Sequence, residues 1–507
     1  MSAVEVRGRG IRLLDVVFWL GVVAVVFANV AVLVPAFTTV RLWEDEAFNL
    51  TVPLNVVRGL GYTSDGTLSG SELTPFDARI STGPVMLLPI AVLAAFGVDP
   101  VIAGRLVAGV GYSVLLGSLW VLGRRLGGRW IALIAAALPL AYSADLPPSP
   151  IQSPYDILGE VTAAGLLAAG LVALHRRPWL AGLLVGLAVQ VKFVALLALP
   201  AFAIVALLDA PGRGLGERLR ATMPRVLAAA ACAAAPTIAF EAWKFVALGP
   251  SGYVENVRDF GGFLLSGGQD GYRVPPLEKL AALLGAWHLP WWVVGAAIVV
   301  VVALAAAGAR AAARQPEALA TAGARTDPRG FVVIAATAGV ALVTYLAWWL
   351  VSSHTPVWLR HPAPGVLAFL PVVVAASVVL ARLALQRWGA RRANPTRILA
   401  VVLAVSGLVL LTVSLAGRVV AFPYTTWETL AGQREAARQI AELGYDELAS
   451  PWGGPVSVIV MSGAHVGLID AVDAVEGEPR VWPGEPPQAC DVLLRAPGYT
   501  VCAPPES

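Results

Sequence analysis

The sequence predicts an all-α polytopic membrane protein with a small extracytoplasmic α/β domain at its C-terminal end. Three observations carry that prediction. Hydrophobic residues make up 57% of the 507 residues and charged residues only 14%. An ordinary globular domain carries about 25% charged residues, so this chain has too few to cover a water-facing surface. Apolar runs of about 20 residues, the length of a helix that crosses the hydrocarbon core, recur along most of the chain, and mean hydropathy is +0.73. The stretch from Arg418 to Ser507 breaks this pattern and has soluble-domain character. The 50 Gly and 37 Pro fit the same reading, because both are frequent in membrane helices. A net charge of +3 is too small to imply nucleic acid. Three Cys exclude a disulfide scaffold and a multi-Cys metal site.

The first apolar run, Leu13 to Phe37, is too long for a signal-peptide core and has no good small-x-small cleavage site. Arg7, Arg9 and Arg12 precede it, and Glu44, Asp45 and Glu46 follow it. That asymmetry places the N-terminus in the cytoplasm. Ten further spans are expected at 102–122, 130–144, 157–174, 179–191, 193–208, 226–248, 283–307, 331–351, 364–385 and 398–415. The resulting cytoplasmic pieces are 1–12, 123–130, 175–178, 209–225, 309–330 and 382–397. They hold 21 of the 36 Lys plus Arg in under a fifth of the chain, as the positive-inside rule requires.

Two short runs need separate treatment. Pro84 to Phe96 would make about 20 Å of helix, too little for a comfortable span. As a crossing it would also put Arg124, Arg125 and Arg129 outside, so it is expected to lie at the outer membrane surface. The pair 179–191 and 193–208 reads as two half-helices with Lys192 at their apex. Discontinuous helices at membrane depth usually line a cavity.

Outside the membrane lie the loop 38–101, the segment 249–282 and the C-terminal stretch. The expected organisation is a transmembrane module, 1–417, followed by an extracytoplasmic domain, 418–507. In that domain QREAARQIAELG (433–444) reads as an amphipathic helix, and PVSVIVMSG (455–463) and CDVLLRAPGYTVC (490–502) as strands. Cys490 and Cys502 fall in a compartment that permits a disulfide, and either state is open to them. Cys232 lies within a span as a small buried hydrophobe.

The segment WEDEAFN (43–49) is the sharpest chemical feature. Adjacent carboxylates Glu44, Asp45 and Glu46 repel one another, so at least one should be hard to ionise unless a cation or metal is near. Facing a cavity, such a group is a candidate general base; otherwise the segment is a solvated loop marking the end of a span. The long loop 38–101 also carries ISTGPVMLLPI (80–90), and loops longer than about 15 residues are often functional. Arg105, near the outer end of the next span, calls for an anionic partner or an interhelical salt bridge. Lys192 either serves the cavity or snorkels to the interface.

Arg360, in SSHTPVWLRHPAPG (352–365), suits bidentate binding of phosphate. His354 and His361 in the same loop could ligate a metal, exchange protons or do neither. Glu241 and Lys244 are i, i+3 neighbours and should pair, and Glu160 is placed to cap a helix. Carboxylates and cations thus recur at the outer ends of separate spans. A cavity with acidic and basic walls, open to the outside, would suit a lipid phosphate donor meeting a polar acceptor.

These residues carry a family resemblance. Asp45-Glu46 stands just outside the first span, and STGPVMLLP (81–89) stands where a Pro-containing surface helix is expected. Phe96-Gly97 with Arg105, GLLVGLAVQVK (182–192) and LRHPAP (359–364) follow in order. In this the sequence resembles the membrane-embedded GT-C glycosyltransferases, specifically the bacterial family 39 relatives of protein O-mannosyltransferases and lipid A aminoarabinose transferases. The resemblance covers most of the chain and implies a GT-C fold and a polyprenyl-phosphate-sugar donor. It further implies inverting, single-displacement transfer of a hexosyl or pentosyl group on the outer face. Asp45 would take the proton of the acceptor hydroxyl, and Glu46 would orient Asp45 or the acceptor. Arg105, Lys192 and Arg360 would hold the donor phosphate. The class contains metal-dependent and metal-independent members, so a divalent cation stays open. Gly83 replaces the first proline of the usual PPL, and His361 stands where relatives often carry Tyr; these departures leave the subfamily open.

The acceptor is a protein, a polysaccharide or a lipid. High Ala, Arg and Gly content suggests a bacterial inner membrane with a periplasmic outer face. A transporter or flippase of lipid-linked sugars is the alternative, but it would need polar residues through the depth of the spans and an inverted repeat. The spans from 283 onward are almost purely aliphatic. A third reading is an inactive relative acting as a scaffold.

Overall fold

The computed structural model describes residues 3–66, 72–143, 151, 153–208, 214–266, 274–352, 357–389, 393–422, 428–470, 475, 477–487 and 490–504. The first part of the chain runs through α1 (Ala3–Thr38), α2 (Glu44–Val57), a two-stranded ribbon of β1 (Thr63–Ser64) and β2 (Thr74–Pro75), α3 (Pro84–Ala95), α4 (Pro100–Gly127), α5 (Arg129–Ala141) and α6 (Glu160–Leu174). There follow α7 (Pro178–Val191), a 3-10 turn (Phe193–Ala198) leading into α8 (Leu199–Leu208), α9 (Leu215–Ser266), α10 (Pro276–Gly285), α11 (Trp291–Arg314), α12 (Ala318–Thr321), α13 (Pro328–Val351), α14 (Ala363–Gly389) and α15 (Ala393–Ala421).

Among the described residues, seven helices are long and apolar enough to cross a membrane, in α1, α4, α9, α11, α13, α14 and α15. The units α5, α6, α7 and Phe193–Val205 are shorter and apolar. Hydrogen bonds nevertheless sort the connections into two ends. At one end the Arg125 guanidinium donates to the Val172 carbonyl at 2.7 Å, and the Arg325 and Thr326 N–H groups donate to the Arg125 carbonyl. At the other, Asn49 donates to the Ile157 carbonyl, Lys192 to the Leu158 carbonyl and Tyr142 to the Leu359 carbonyl, each at 2.8 Å. Helices α5, α6 and α7 each run between these ends, so they cross although short, shielded by α4 and α14. With the seven long helices and Phe193–Val205 they make eleven apolar units among the described residues, in the order the sequence predicts.

Helix α3 does not run between the two ends, because both of its flanks stay at the α2 end. Gly83 donates to the Val191 carbonyl at 2.9 Å before it, and Asp99 pairs with Arg434 at 3.1 Å after it. Gly83 is there for room, since a Cβ on it would come 2.2 Å from the Gln190 carbonyl oxygen. Gly83→Ala should therefore cost about 1–3 kcal/mol, as overpacking does. Gly117→Ala is the control: its Cβ would meet nothing within 4 Å, and its melting temperature should not fall.

Two boundaries shift. The span expected at 283–307 begins only at Trp291, because Pro290 precedes it and His288 has φ 53°. Helix α9 bends at Gly249 (φ 70°), where the expected span ends, and continues as a second helix to Ser266. The first outer segment is more ordered than a loop, since α2 occupies fourteen of its residues.

The C-terminal stretch forms α16 (Leu430–Ala441), β3 (Glu447–Ser450), α17 (Gly454–Ser462), β4 (His465–Leu468), β5 (Arg480–Pro483), β6 (Val492–Ala496) and β7 (Tyr499–Cys502). The strands make one sheet in the order β4-β3-β5-β7-β6. β3 is parallel to β4 and β5, and the β6–β7 hairpin is antiparallel. A disulfide joins Cys490 to Cys502 across that hairpin. PVSVIVMSG is a helix rather than the expected strand. Its β-branched residues favour extended backbone, but Pro455 starts α17 and Gly463 ends it in the left-handed region (φ 92°). Residues Gly454 to Val460 are all buried, and a helix that is apolar all round is an interior helix.

Candidate active site

The site is built at the first turn of α2. Trp43 is extended (φ −86°, ψ 153°), and three acidic residues follow it, where the positive end of a helix favours them. Glu46 closes a capping arrangement, accepting from the Trp43 N–H at 3.0 Å. Its other oxygen accepts from the Ile157 N–H at 2.9 Å, while Asn49 takes the Ile157 carbonyl. Glu46 is fully buried, and burial raises its pKa against the opposing charge of Arg105. It braces α2 against the segment before α6, with its oxygens on backbone N–H groups rather than on Asp45.

Arg105 is likewise turned inward, 2% exposed. Its guanidinium donates to the Ala36 carbonyl and to those of Val40 and Arg41, at 2.9 and 3.0 Å. Ala36 is in the last turn of α1, where carbonyls have no partner within the helix, and Val40 and Arg41 follow just after it. The structure thus spends the expected phosphate ligand on capping a helix.

Asp45 points the other way. Its Oδ2 lies 2.6 Å from the Arg360 guanidinium, and the two side chains are 23% and 13% exposed. Arg360 sits between Trp43 and Trp358, 5.5 and 5.2 Å from their ring centroids. Lys192 donates to Ser81 and to the Leu158 carbonyl, both at 2.8 Å, and pairs with Glu160 at 3.1 Å. Four buried polar atoms around this group have no hydrogen-bond partner among the described residues: Arg360 Nε, Trp358 Nε1, His361 Nδ1 and Glu160 Oε2. Native interiors rarely leave such atoms unmatched. Burial, then Arg360, Lys192 and Lys279, hold His361 well below its usual pKa, so it is neutral at physiological pH. His354 lies outside the described residues.

The C-terminal sheet domain grips the chain just before this turn. Gln433, fully buried, accepts from the Leu42 N–H at 2.7 Å and donates to the Leu42 carbonyl at 2.9 Å. Arg41 is shared by Glu44 at 3.3 Å and Glu428 at 3.2 Å, and Tyr499 donates to Glu428. Burial raises the pKa of Glu44 and Glu428, with Arg41 opposing it in both. Glu44 therefore belongs to the junction with the C-terminal domain. Further out, Asp65 contacts His465 at 3.0 Å and accepts from the Val466 N–H. Gln433→Ala should destabilise the protein by about 1–3 kcal/mol in thermal unfolding, because it strands a buried peptide group.

Several of these residues were not legible in the sequence. Gln433 reads as one polar position on an amphipathic helix. Trp43 and Trp358 read as interface aromatics, although each stands close to a charged site residue. Asp156, in SPYDILGE, looks like a turn residue. Burial, reinforced by the charge of Glu46 and opposed by hydrogen bonds from Ser153, pushes its pKa up to about 8. The folded state thus holds a proton that the unfolded chain releases near 3.8. Stability should fall as pH rises through that window, and Asp156→Asn should flatten the fall in a melting series between pH 5 and 8.

Among the described residues, no group of three His, Cys, Asp or Glu could hold a metal ion. The oxygens of Glu46 are committed to N–H groups and Asp45 to Arg360. This donor set does not fit a divalent cation.

Solved structures share this architecture. ArnT from Cupriavidus metallidurans bound to undecaprenyl phosphate is similar at a TM-score of 0.53 and 15% identity, over 97% of this chain and 98% of ArnT. Its apo state gives 0.52 and 16% over the same shares. The fold is the GT-C fold. The Archaeoglobus fulgidus oligosaccharyltransferase in complex with Zn and sulfate is similar at 0.49 and 13% identity, over 91% of this chain and 67% of that one. No family model matches the sequence, and no curated protein sequence matches it. On this GT-C scaffold, the Asp45–Arg360 pair lies where α2, the segment before α6, the apex at Lys192 and the loop before α14 converge.

Proposed function

We propose that the chain is an integral-membrane glycosyltransferase that moves a sugar from a polyprenyl-phosphate donor to an acceptor hydroxyl, with inversion by a single displacement. The observation that carries this reading is the Asp45–Arg360 pair at 2.6 Å, with Lys192 held on the Leu158 carbonyl, next to the Ile157 N–H that anchors Glu46. A base stands next to a cation, and the reaction needs both at one place. Asp45 takes the acceptor proton while the acceptor oxygen bonds to the anomeric carbon. The bond from that carbon to phosphate breaks, and the electron pair leaves with the phosphate. Arg360 and Lys192 offset the charge that develops on it. Glu46 and Arg105 act as positioning residues behind α2 and α1.

The likeness to ArnT bound to undecaprenyl phosphate supports the donor class. The sugar is a hexose or pentose, and the acceptor is a protein, polysaccharide or lipid. The site faces the periplasm of a bacterial inner membrane, with the N-terminus and the arginine-rich loops in the cytoplasm. The test uses purified protein with labelled polyprenyl-phosphate mannose or arabinose and a crude cell-envelope acceptor. Transfer of label supports the enzyme. Binding of the lipid without release of sugar, together with lipid movement in a liposome flipping assay, would favour a transporter.

A further inference from the structure

At the end of the bundle away from Asp45, a groove of about 440 Å³ opens between α11, α12, α13 and α14. Its lining is entirely apolar and mostly small, including Ala309, Ala313, Pro316, Phe331, Ala335 and Leu380. Small residues usually let helices close up. Gly308 does so, since a Cβ there would come 2.0 Å from the Leu380 carbonyl oxygen. That contact joins α11 to α14; the groove between them and α13 leaves space for about 15 methylene-sized groups, taking the volume of a water molecule as the unit. The floor is buried, with Leu319 and Phe331 each 2% exposed, while Val332 on the rim is 58% exposed. The groove therefore opens sideways from the bundle, toward hydrocarbon.

The charges at its mouth are basic. Arg310 and Arg314 are exposed one turn apart on α11, and neither is in an ion pair among the described residues. Arg387 reaches Gln315, beside the groove residue Pro316. Two acids stand nearby in sequence, Glu317 and Asp327, and Asp327 is occupied in capping α13 through the Gly330 N–H at 2.8 Å. An apolar slot beneath a basic mouth matches one chemistry, an acyl chain attached to a phosphate. We propose that this groove binds an anionic phospholipid, with one acyl chain between α11 and α13 and its phosphate at Arg310 and Arg314. The donor is not the expected occupant. From Ala336, the last groove residue of α13, to the end of that helix at Val351 is about 22 Å of helix before the Arg360 loop.

The test is native mass spectrometry of the full chain, delipidated in detergent and offered equal amounts of phosphatidylglycerol and phosphatidylcholine. Wild type should retain phosphatidylglycerol preferentially. The exposed pair Arg310→Gln with Arg314→Gln should lose that preference by roughly 30-fold, at about fivefold for each arginine near an anionic headgroup. Ala335→Phe should lower retention of both lipids by filling the slot, and free glycerol phosphate should not bind. Equal retention of the two lipids by wild type would overturn the proposal, as would a preference unchanged in the arginine pair. Polyprenyl phosphate that displaces phosphatidylglycerol, in wild type and arginine variant alike, would mark the slot as a site for the donor's tail and refute the phospholipid.

Discussion

Asp45→Asn should slow sugar transfer by about 10²–10⁴-fold, the usual loss when a positioned general base is removed. Asparagine keeps the shape of the side chain, and α2 does not depend on Asp45 for its cap, because Glu46 supplies that bond. The variant should therefore fold and melt like wild type. It should also bind polyprenyl phosphate at least as well, since Arg360 loses the carboxylate 2.6 Å away and becomes free for a phosphate. Assays of transfer and of lipid binding on the same preparation separate these effects. A variant that keeps transfer within a few-fold of wild type would show that Asp45 is not the base. One that also loses lipid binding would point to a structural role.

The second large effect is expected at Arg360. Arg360→Gln should lower transfer by about 10²–10³-fold, the range seen when a donor to a developing negative charge is removed. Unlike Asp45→Asn, it should weaken binding of polyprenyl phosphate as well. Arg360→Lys should rescue only part of the loss. The guanidinium lies between Trp43 and Trp358, and a lysine ammonium reproduces neither that stacking nor a bidentate grip. The double variant with Asp45→Asn should lose less than the sum of the two free energies, because the residues act on one transition state. Full rescue by lysine would mean that only charge is required there. An unchanged affinity for polyprenyl phosphate would place the phosphate elsewhere.

Much of the fold was legible because lipid imposes a simple rule. A backbone in hydrocarbon must satisfy its own hydrogen bonds, so spans declare themselves as long apolar helices. Arginine then marks one set of loops. This was enough to expect that short α5, α6 and α7 run from one end of the bundle to the other while Pro84–Ala95 does not, which length alone would not do. The soluble part followed weaker signals. The strand character of 490–502 and a helix at 433–444 were readable from period; the structure turns the first into the β6–β7 hairpin and starts the second at Leu430. The run PVSVIVMSG was not, because a buried strand and a buried helix share the same apolar composition. Its Pro455 and Gly463 held the information that decided it.

The candidate site divides in the same way. Residue type and position along the chain pointed to Asp45, Lys192 and Arg360, since charges at the outer ends of spans are costly without a purpose. Which way each side chain turns was not available from that reasoning. Glu46 follows Asp45 directly, yet a step of about 100° around a helix carries it from the Arg360 side to the interior. Arg105 looked like a phosphate ligand and caps α1 instead, because three carbonyls at and just after the end of that helix lie within its reach. Gln433 braces Leu42 from 391 positions away, and no local pattern marks such a partner.

The sequence by itself determined the all-α membrane fold, the order of its apolar helices and the helix ends where Asp45, Lys192 and Arg360 stand. These are properties of composition and spacing, which a bilayer reads one segment at a time. Only the tertiary structure decided which of those charges meet. It pairs Asp45 with Arg360, ties Lys192 to Glu160 and Leu158, and withdraws Glu46 and Arg105 into the scaffold. A hydrogen bond or ion pair acts over about 3 Å, and contacts of that length between residues hundreds of positions apart exist only once the helices have packed.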